Sequence, residues 1–164
     1  MNRLSPLQRL MDTLPQRGRV DWIGVRLARR GPVQVVQQVR AEPGHGLQGD
    51  RYRGGRSGKR EVTLIQAEHL PVIASLLGLE RVEPSLLRRN IAVAGINLLA
   101  LKDRRFRIGG ALLETTGHCH PCSRMEEVLG AGGYNATRGH GGITARVLEG
   151  GLIRLDDPVF VEVD

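Results

Sequence analysis

The sequence has 164 residues, of which 40% are hydrophobic, and its formal net charge at pH 7 is +7. This length and composition predict one globular domain with a real core and exclude a disordered chain. No run of about eighteen apolar residues is present, and residues 1–6 lack the apolar segment of a secretory signal, so we expect a cytoplasmic protein that does not act at a membrane.

Almost all of the basic side chains are arginines, since only Lys59 and Lys102 are lysines. The planar guanidinium group of arginine favours bidentate recognition of phosphate or carboxylate, so the composition predicts anionic partners. The alternative is a surface that is rich in arginine without any binding role, which would give the same number of arginines. The few aromatic residues are scattered and form no stacking platform, which argues against nucleic acid. A small molecule that carries a phosphate fits better.

The first predicted element is a short helix that begins at Ser5-Pro6 and carries apolar residues at helical spacing until Pro15. We expect residues 1–18 to form a helical extension packed on a single domain that spans residues 19–164. Two extended runs, 20–28 and 33–39, predict a hairpin with its turn at 29–32. Residues 44–58 hold six glycines among polar and charged residues, which is typical of a binding loop.

The rest of the chain alternates short strands with glycine or proline turns. Residues 61–65 are predicted as a strand, 67–77 as a helix and 84–87 as a helical turn. Further strands are predicted at 91–94, 98–101, 105–108, 111–116, 143–149, 152–155 and 159–163. Because strands outnumber helices, we predict a mainly β, α+β fold, namely a closed β-barrel with short helices packed on it.

Both cysteines lie in one segment, residues 118–122, between a predicted strand and a predicted helix. Ser123 and Glu126 have capping-box spacing, which places Cys122 beside a helix N-terminus. The backbone N–H groups there, and the cation of Arg124, favour a thiolate, which is both a nucleophile and a soft metal ligand. Cys122 is therefore the predicted catalytic residue. For Cys119, a functional thiol and a buried inert thiol are equally well supported.

Two other interpretations of this segment stay open. The segment combines two thiols with two imidazoles, which are the usual ligands of zinc. Adjacent side chains on an extended chain point to opposite faces, however, so His45, His69 or His140 would have to complete the tetrahedral site. A redox dithiol also uses Cys-x-x-Cys before a helix, although no βαβ pattern precedes it and only 42 residues follow Cys122.

The order of several motifs resembles the MOSC domain family, which is named after the C-terminal domain of molybdenum cofactor sulfurase, and in particular its small stand-alone bacterial type. The motifs are Gly46-Leu47-Gln48-Gly49-Asp50, Glu61-Val62-Thr63-Leu64-Ile65, Arg88-Arg89-Asn90-Ile91, Gly95-Ile96-Asn97-Leu98, Pro121-Cys122, Gly150-Gly151-Leu152-Ile153 and Asp157-Pro158-Val159. The resemblance covers nearly the whole chain from about Val20 onward.

This resemblance implies a β-barrel that binds the molybdenum–molybdopterin cofactor, with Cys122 as the molybdenum ligand or as a sulfur carrier. Arg88 and Asn90 match the Arg-x-Asn segment that contacts the cofactor in relatives that reduce amidoximes, and Thr63 falls near another contact. The remaining predicted cofactor-binding residues are Arg51, Arg53, His120 and Pro121.

Two functions follow from the resemblance. As an oxidoreductase, the protein would remove oxygen from small N-hydroxylated compounds, using electrons from an external donor protein because the chain has no ferredoxin-like cysteine cluster. As a sulfur carrier, it would hold a persulfide on Cys122 and deliver the sulfur to an acceptor. Thiol redox chemistry or zinc binding is the lesser alternative.

Overall fold

The computed structural model describes residues 3–52 and 58–163. The helices in these ranges are α1 (Pro6–Asp12), α2 (His69–Leu77), α3 (Ser123–Leu129) and α4 (Gly133–Thr137). The strands are β1 (Gly18–Val25), β2 (Gln34–Val35), β3 (Gln38–Glu42), β4 (Gly46–Leu47), β5 (Val62–Gln66), β6 (Ile91–Ala94), β7 (Arg105–Ile108), β8 (Ala111–His118), β9 (Ile143–Glu149), β10 (Gly151–Arg154) and β11 (Pro158–Val161). Single 3₁₀ turns cover Pro84–Leu87 and Leu98–Leu101.

Seven of these strands close into a barrel in the order β11-β7-β8-β9-β5-β6-β1, and β1 pairs back with β11. Neighbouring strands are antiparallel except β5 and β6, which are parallel because α2 and the first 3₁₀ turn cross over between them. Strand β2 pairs with the end of β1, and β3, β4 and β10 form a separate small sheet. The predicted α+β fold with a closed barrel is confirmed.

The protein has two apolar cores, one inside the barrel and one that packs α2, α3 and α4 against its outer face. Inward-facing residues such as Leu64 and Phe106 fill the barrel, because side chains alternate between the two faces of each strand. The outward residue Ile65 belongs to a second core, in which Leu87 and Met125 also take part. This second core fixes the first 3₁₀ turn and α3 against the outside of the barrel, and both elements carry residues of the site described below.

Two local predictions are wrong, and one helix was not predicted. Residues 98–101 form a 3₁₀ turn and not a strand, because the Asn97 side chain accepts a hydrogen bond from the Leu99 backbone N–H (3.1 Å) and starts a helical turn. The glycine-rich stretch after α3 contains a helix, α4, which the sequence does not indicate. The residue that caps α3 is Cys122 and not Ser123, and no side chain closes a capping box there.

The side chain of Glu126 has a different role from the predicted one. It accepts hydrogen bonds from the backbone N–H groups of Gly132 (2.7 Å) and Tyr134 (3.0 Å), which lowers the pKa of the carboxyl group. Glu126 therefore joins α3 to the start of α4 instead of closing the first turn of its own helix.

Helix α1 forms as predicted, with Ser5 as its N-cap, but its apolar side chains do not pack on the body. The side chains of Leu4, Leu7, Leu10 and Met11 are all exposed.

Candidate functional site

A cavity of about 760 Å³ lies where the ends of several barrel strands meet. Its walls come from the end of β1, residues 50–52, residues 59–63, the turn before β6 and the segment between β8 and α3. The lining residues are Arg26, Asp50, Arg51, Tyr52, Lys59, Arg60, Thr63, Leu87, Arg88, Arg89, Asn90, His120, Pro121, Cys122 and Met125.

The cavity brings together most of the predicted site residues, although they are distant in sequence. They are Arg51, Thr63, Arg88, Asn90, His120, Pro121 and Cys122. Arg53, which we also predicted, lies outside the described residues.

The two cysteines have different environments. Cys122 lines the cavity with an exposed side chain, in extended backbone at the N-cap position of α3. Cys119 is only 2% exposed, and its sulfur receives a long hydrogen bond from Nη2 of Arg60 (3.8 Å). Of the two thiols, only that of Cys122 is open to a ligand in the cavity.

The zinc alternative lacks a ligand set in residues 3–52 and 58–163, where no group of three or more His, Cys, Asp or Glu side chains is placed to hold a metal ion. The rings of His118 and His120 are 5.9 Å apart, and both are exposed. His140 contacts His69 instead, with 3.3 Å between their Nδ1 atoms.

Arg88 projects from a strained backbone position next to Cys122. It follows the 3₁₀ turn with φ of +61°, a left-handed conformation that non-glycine residues seldom adopt. Burial lowers the pKa of Arg88, and the nearby cations of Arg124 and Arg51 lower it further, while the charge of Cys122 opposes them. The positive charges at this point repel one another.

Arg26 adds a buried cation to the same cavity. Burial lowers the pKa of its guanidinium, as does the charge of Arg88, whereas Asp50 raises it. The carboxylate of Asp50 accepts a hydrogen bond from the backbone N–H of Arg26 (2.9 Å). The Nε atom of Arg26 is buried and has no hydrogen-bond partner among the described residues, which is unfavourable unless an anion in the cavity accepts a hydrogen bond from it.

The buried side chain of Arg89 joins several segments around the cavity through hydrogen bonds. It is 6% exposed and donates hydrogen bonds to three backbone carbonyls: Nε to Gly141 (2.7 Å), Nη1 to Leu87 (2.6 Å) and Nη2 to Cys119 (3.4 Å). These carbonyls belong to the turn before Arg88, the cysteine segment and the loop before β9. Arg89 therefore holds three of the segments around the cavity in place.

Asn90 ties strands together. Its Oδ1 accepts hydrogen bonds from the backbone N–H (3.0 Å) and the hydroxyl (3.2 Å) of Thr63, and its Nδ2 donates to the Gly24 carbonyl (3.2 Å). Its backbone N–H also donates to the Thr63 hydroxyl oxygen (3.0 Å). Much of the hydrogen-bonding capacity of both side chains serves to join β1, β5 and the start of β6.

Sequence reasoning missed Arg26, Arg60 and Arg89 as site residues. Arg26 and Arg60 each lie close to a strand, and no local motif marks them as different from the surface arginines. Arg89 lies in the motif Arg88-Arg89-Asn90-Ile91, but the resemblance pointed only to Arg88 and Asn90 as cofactor contacts. The available signal was the excess of arginine in the whole chain.

The comparison with protein families decides the affiliation. The model of the MOSC domain matches residues 49–160, which include all the predicted site residues. The chain belongs to the MOSC domain family. Two solved structures of bacterial proteins support the MOSC fold at low sequence identity.

One is the YuaD protein from Bacillus subtilis, which is similar with a TM-score of 0.77 and 18% identity over 90% of this chain and 97% of that chain. The other is YiiM from Escherichia coli, with a TM-score of 0.71 and 19% identity over 92% of this chain and 71% of that chain. At such identities the likeness concerns the fold alone. No curated protein matches the sequence.

None of the described helices of this MOSC protein has both the length and the apolar character that a membrane span requires.

Proposed function

We propose that this MOSC protein holds a molybdenum–molybdopterin cofactor in the arginine-rich cavity, with Cys122 as the ligand to the metal, and that it reduces small N-hydroxylated compounds. The observation that carries this proposal is the exposed thiol of Cys122 in the same cavity as several arginines. Among the described residues, Arg26, Arg88 and Arg89 form no ion pair with a carboxylate. A soft ligand and unmatched cations fit a group that combines a metal with a phosphate.

The residues present fit such a cofactor in two respects. The buried Nε of Arg26 lacks a partner, and an anionic oxygen would satisfy it. The cavity of about 760 Å³ also lies within the range of sites that enclose small molecules.

In the proposed site each group has a separate task. Cys122 binds the metal, while Arg88, Arg26 and Arg51 bind the phosphate as charge-assisted donors. Leu87 and Met125 provide an apolar part of the wall. The bound cofactor would supply two-electron chemistry at the metal for removal of oxygen from the substrate, and the electrons would come from an external donor protein.

A sulfur carrier is the second candidate. The same thiol that could bind a metal could hold a persulfide, because Cys122 is exposed at the start of a helix and lines the same cavity as Arg88 and Arg26. In this case Cys122 would pass its outer sulfur to an acceptor that reaches the cavity.

The first experiment measures molybdenum and pterin in purified protein. We expect both in the wild-type protein, and we expect Cys122→Ser to lose molybdenum while Cys119→Ser retains it, since Cys119 is buried away from the cavity lining. Cys119→Ser is the matched control, because it makes the same chemical change three residues away. Loss of the metal in Cys119→Ser alone would reverse the assignment.

The second experiment tests the arginines. A charge-assisted hydrogen bond contributes about 1.5–3 kcal/mol, so Arg88→Ala should weaken cofactor retention by about 10- to 100-fold. Arg81→Ala is the control, because Arg81 is an exposed arginine paired with Glu83 outside the cavity lining. Retention is measured by dialysis of the loaded protein, and equal retention in the two variants would remove Arg88 from the proposed site.

A further inference from the structure

The cavity holds more positive charge than the proposed cofactor requires. The described residues that line it include six cationic side chains and one carboxylate, that of Asp50. The phosphate of the cofactor carries a charge of about −2 at pH 7, and a thiolate at Cys122 carries one further negative charge. These two groups leave about two positive charges of the lining unmatched, and such charges attract a further anion into a cavity.

Two of the lining cations have no task in cofactor binding. Three arginines are assigned to the cofactor phosphate, and the guanidinium of Arg89 donates to backbone carbonyls. Lys59 and Arg60 remain. They follow one another shortly before β5, and both residues are exposed at the cavity.

The contacts of Lys59 and Arg60 place them beside the segment that carries Cys122. The Thr116 hydroxyl donates to the Lys59 carbonyl, and Nη2 of Arg60 lies 3.8 Å from the sulfur of Cys119. Thr116 belongs to β8, and Cys119 directly follows this strand, three residues before Cys122. A ligand on Arg60 would therefore lie along the wall that leads to the exposed thiol.

Electrostatics agree with this placement. Burial lowers the pKa of Arg89, the charge of Arg60 lowers it further, and the charges of Cys119 and Cys122 raise it. Arg60 and Cys122 are thus both near one guanidinium group. Among the described residues, Arg60 forms no ion pair with a carboxylate, and its hydrogen bond to sulfur is long. A guanidinium has five N–H donors, so Arg60 retains donors for a ligand.

We propose that the substrate carries an oxyanion, either a phosphate or a carboxylate, and that Arg60 binds this group together with Lys59 while the N-hydroxyl group reaches the cofactor at Cys122. The planar guanidinium of arginine recognises both kinds of oxyanion through paired hydrogen bonds. Binding at a distance from the reacting atom also orients the substrate. This inference rests on the proposed function and names its substrate class.

The test compares substrates that share a reacting group and differ in charge. Cofactor-loaded protein and a reduced dye are incubated anaerobically with N-hydroxycytidine or its 5′-monophosphate, and with benzamidoxime or 4-carboxybenzamidoxime. We expect kcat/KM to be about 10- to 100-fold higher for the anionic member of a pair, mainly through KM, because a charge-assisted hydrogen bond contributes about 1.5–3 kcal/mol. The first pair tests a phosphate and the second a carboxylate.

Variants of Arg60 test the residue itself. In Arg60→Gln the ratio of kcat/KM between the anionic and the neutral compound should fall to about 1, whereas Arg60→Lys should keep part of it. Arg81→Gln is the matched control and should keep the whole ratio, because Arg81 lies outside the cavity lining. The amine products should bind in the same order in titration calorimetry, which requires no turnover.

The outcomes separate this inference from the proposed function. If the wild-type protein reduces the compounds without preference for either anion, the inference is wrong and the proposed function stands. The same holds if Arg60→Gln keeps the preference, or if it loses molybdenum, which would assign Arg60 to the cofactor. If none of the four compounds is reduced, the proposed function fails and the inference fails with it.

Discussion

Replacement of Arg89 by methionine gives a prediction whose size follows from the structure. The change removes two short hydrogen bonds, to Leu87 and Gly141, and a long one to Cys119, and it leaves these carbonyls without their donor. Bonds to charged groups contribute about 1.5–3 kcal/mol each, and release of a buried charge offsets part of the loss. We expect a net loss of about 3 kcal/mol in the free energy of unfolding, which corresponds to a fall of roughly 6–12 °C in Tm.

The assay is urea and thermal denaturation followed by circular dichroism. Arg81→Met serves as the control, because the Arg81 side chain is 78% exposed and its ion pair with Glu83 should contribute less than about 1 kcal/mol. If Arg89→Met and Arg81→Met lose the same amount of unfolding free energy, Arg89 does not hold the three segments together, and its proposed structural role is refuted.

Three further predictions concern stability. Asn90→Ala should lower the free energy of unfolding measured in urea by about 2 kcal/mol, because it leaves the Thr63 backbone N–H and the Gly24 carbonyl without their partner. A variant as stable as the wild-type protein would show that Asn90 does not link these strands. Gly142→Ala should lose about 2–4 kcal/mol by the same method, because φ is +88° and the new Cβ would overlap the Leu64 carbonyl oxygen; wild-type stability would refute the argument. Stability should also fall as the pH drops below about 6.5, because burial and His140 lower the pKa of His69 in the folded protein.

The sign of the last effect follows from proton binding. When the folded pKa of a histidine is lowered, the unfolded chain binds more protons between the two pKa values, so acid favours unfolding. His140→Gln should reduce this dependence, because it removes the second imidazole and its charge from His69. Unfolding free energies measured between about pH 8 and pH 5 test it, and an unchanged slope in the variant would show that the pair has no part in it.

The barrel could be predicted because its signals are local. Strands β5 and β9 are β-branched runs bounded by turn residues, and either can be assigned without knowledge of its neighbours. The run Leu98–Leu101 has the same apolar character, and a short apolar run does not distinguish a strand from a helical turn. The Asn97 cap decides between them.

Helix α4 and the buried arginines depend on contacts that are distant in sequence. Gly132 begins α4 with φ of +87°, and Glu126 of another helix binds its first backbone N–H groups. The segment around Cys122 could be predicted from neighbouring residues. The position of Arg26 could not, because only the pairing of β1 with β6, which is distant in sequence, brings the end of β1 beside Arg88.

The central proposal is that Cys122 and the arginine cavity hold a cofactor that reduces N-hydroxylated compounds. The most direct measurement is anaerobic incubation of cofactor-loaded protein with a reduced dye and an N-hydroxylated base, in which the amine product is followed. We predict that the wild-type protein and Cys119→Ser form the amine and that Cys122→Ser does not. If loaded, reducible protein forms no amine and Cys122 is instead recovered as a persulfide that passes sulfur to an acceptor, the reductase account is contradicted and the sulfur carrier takes its place.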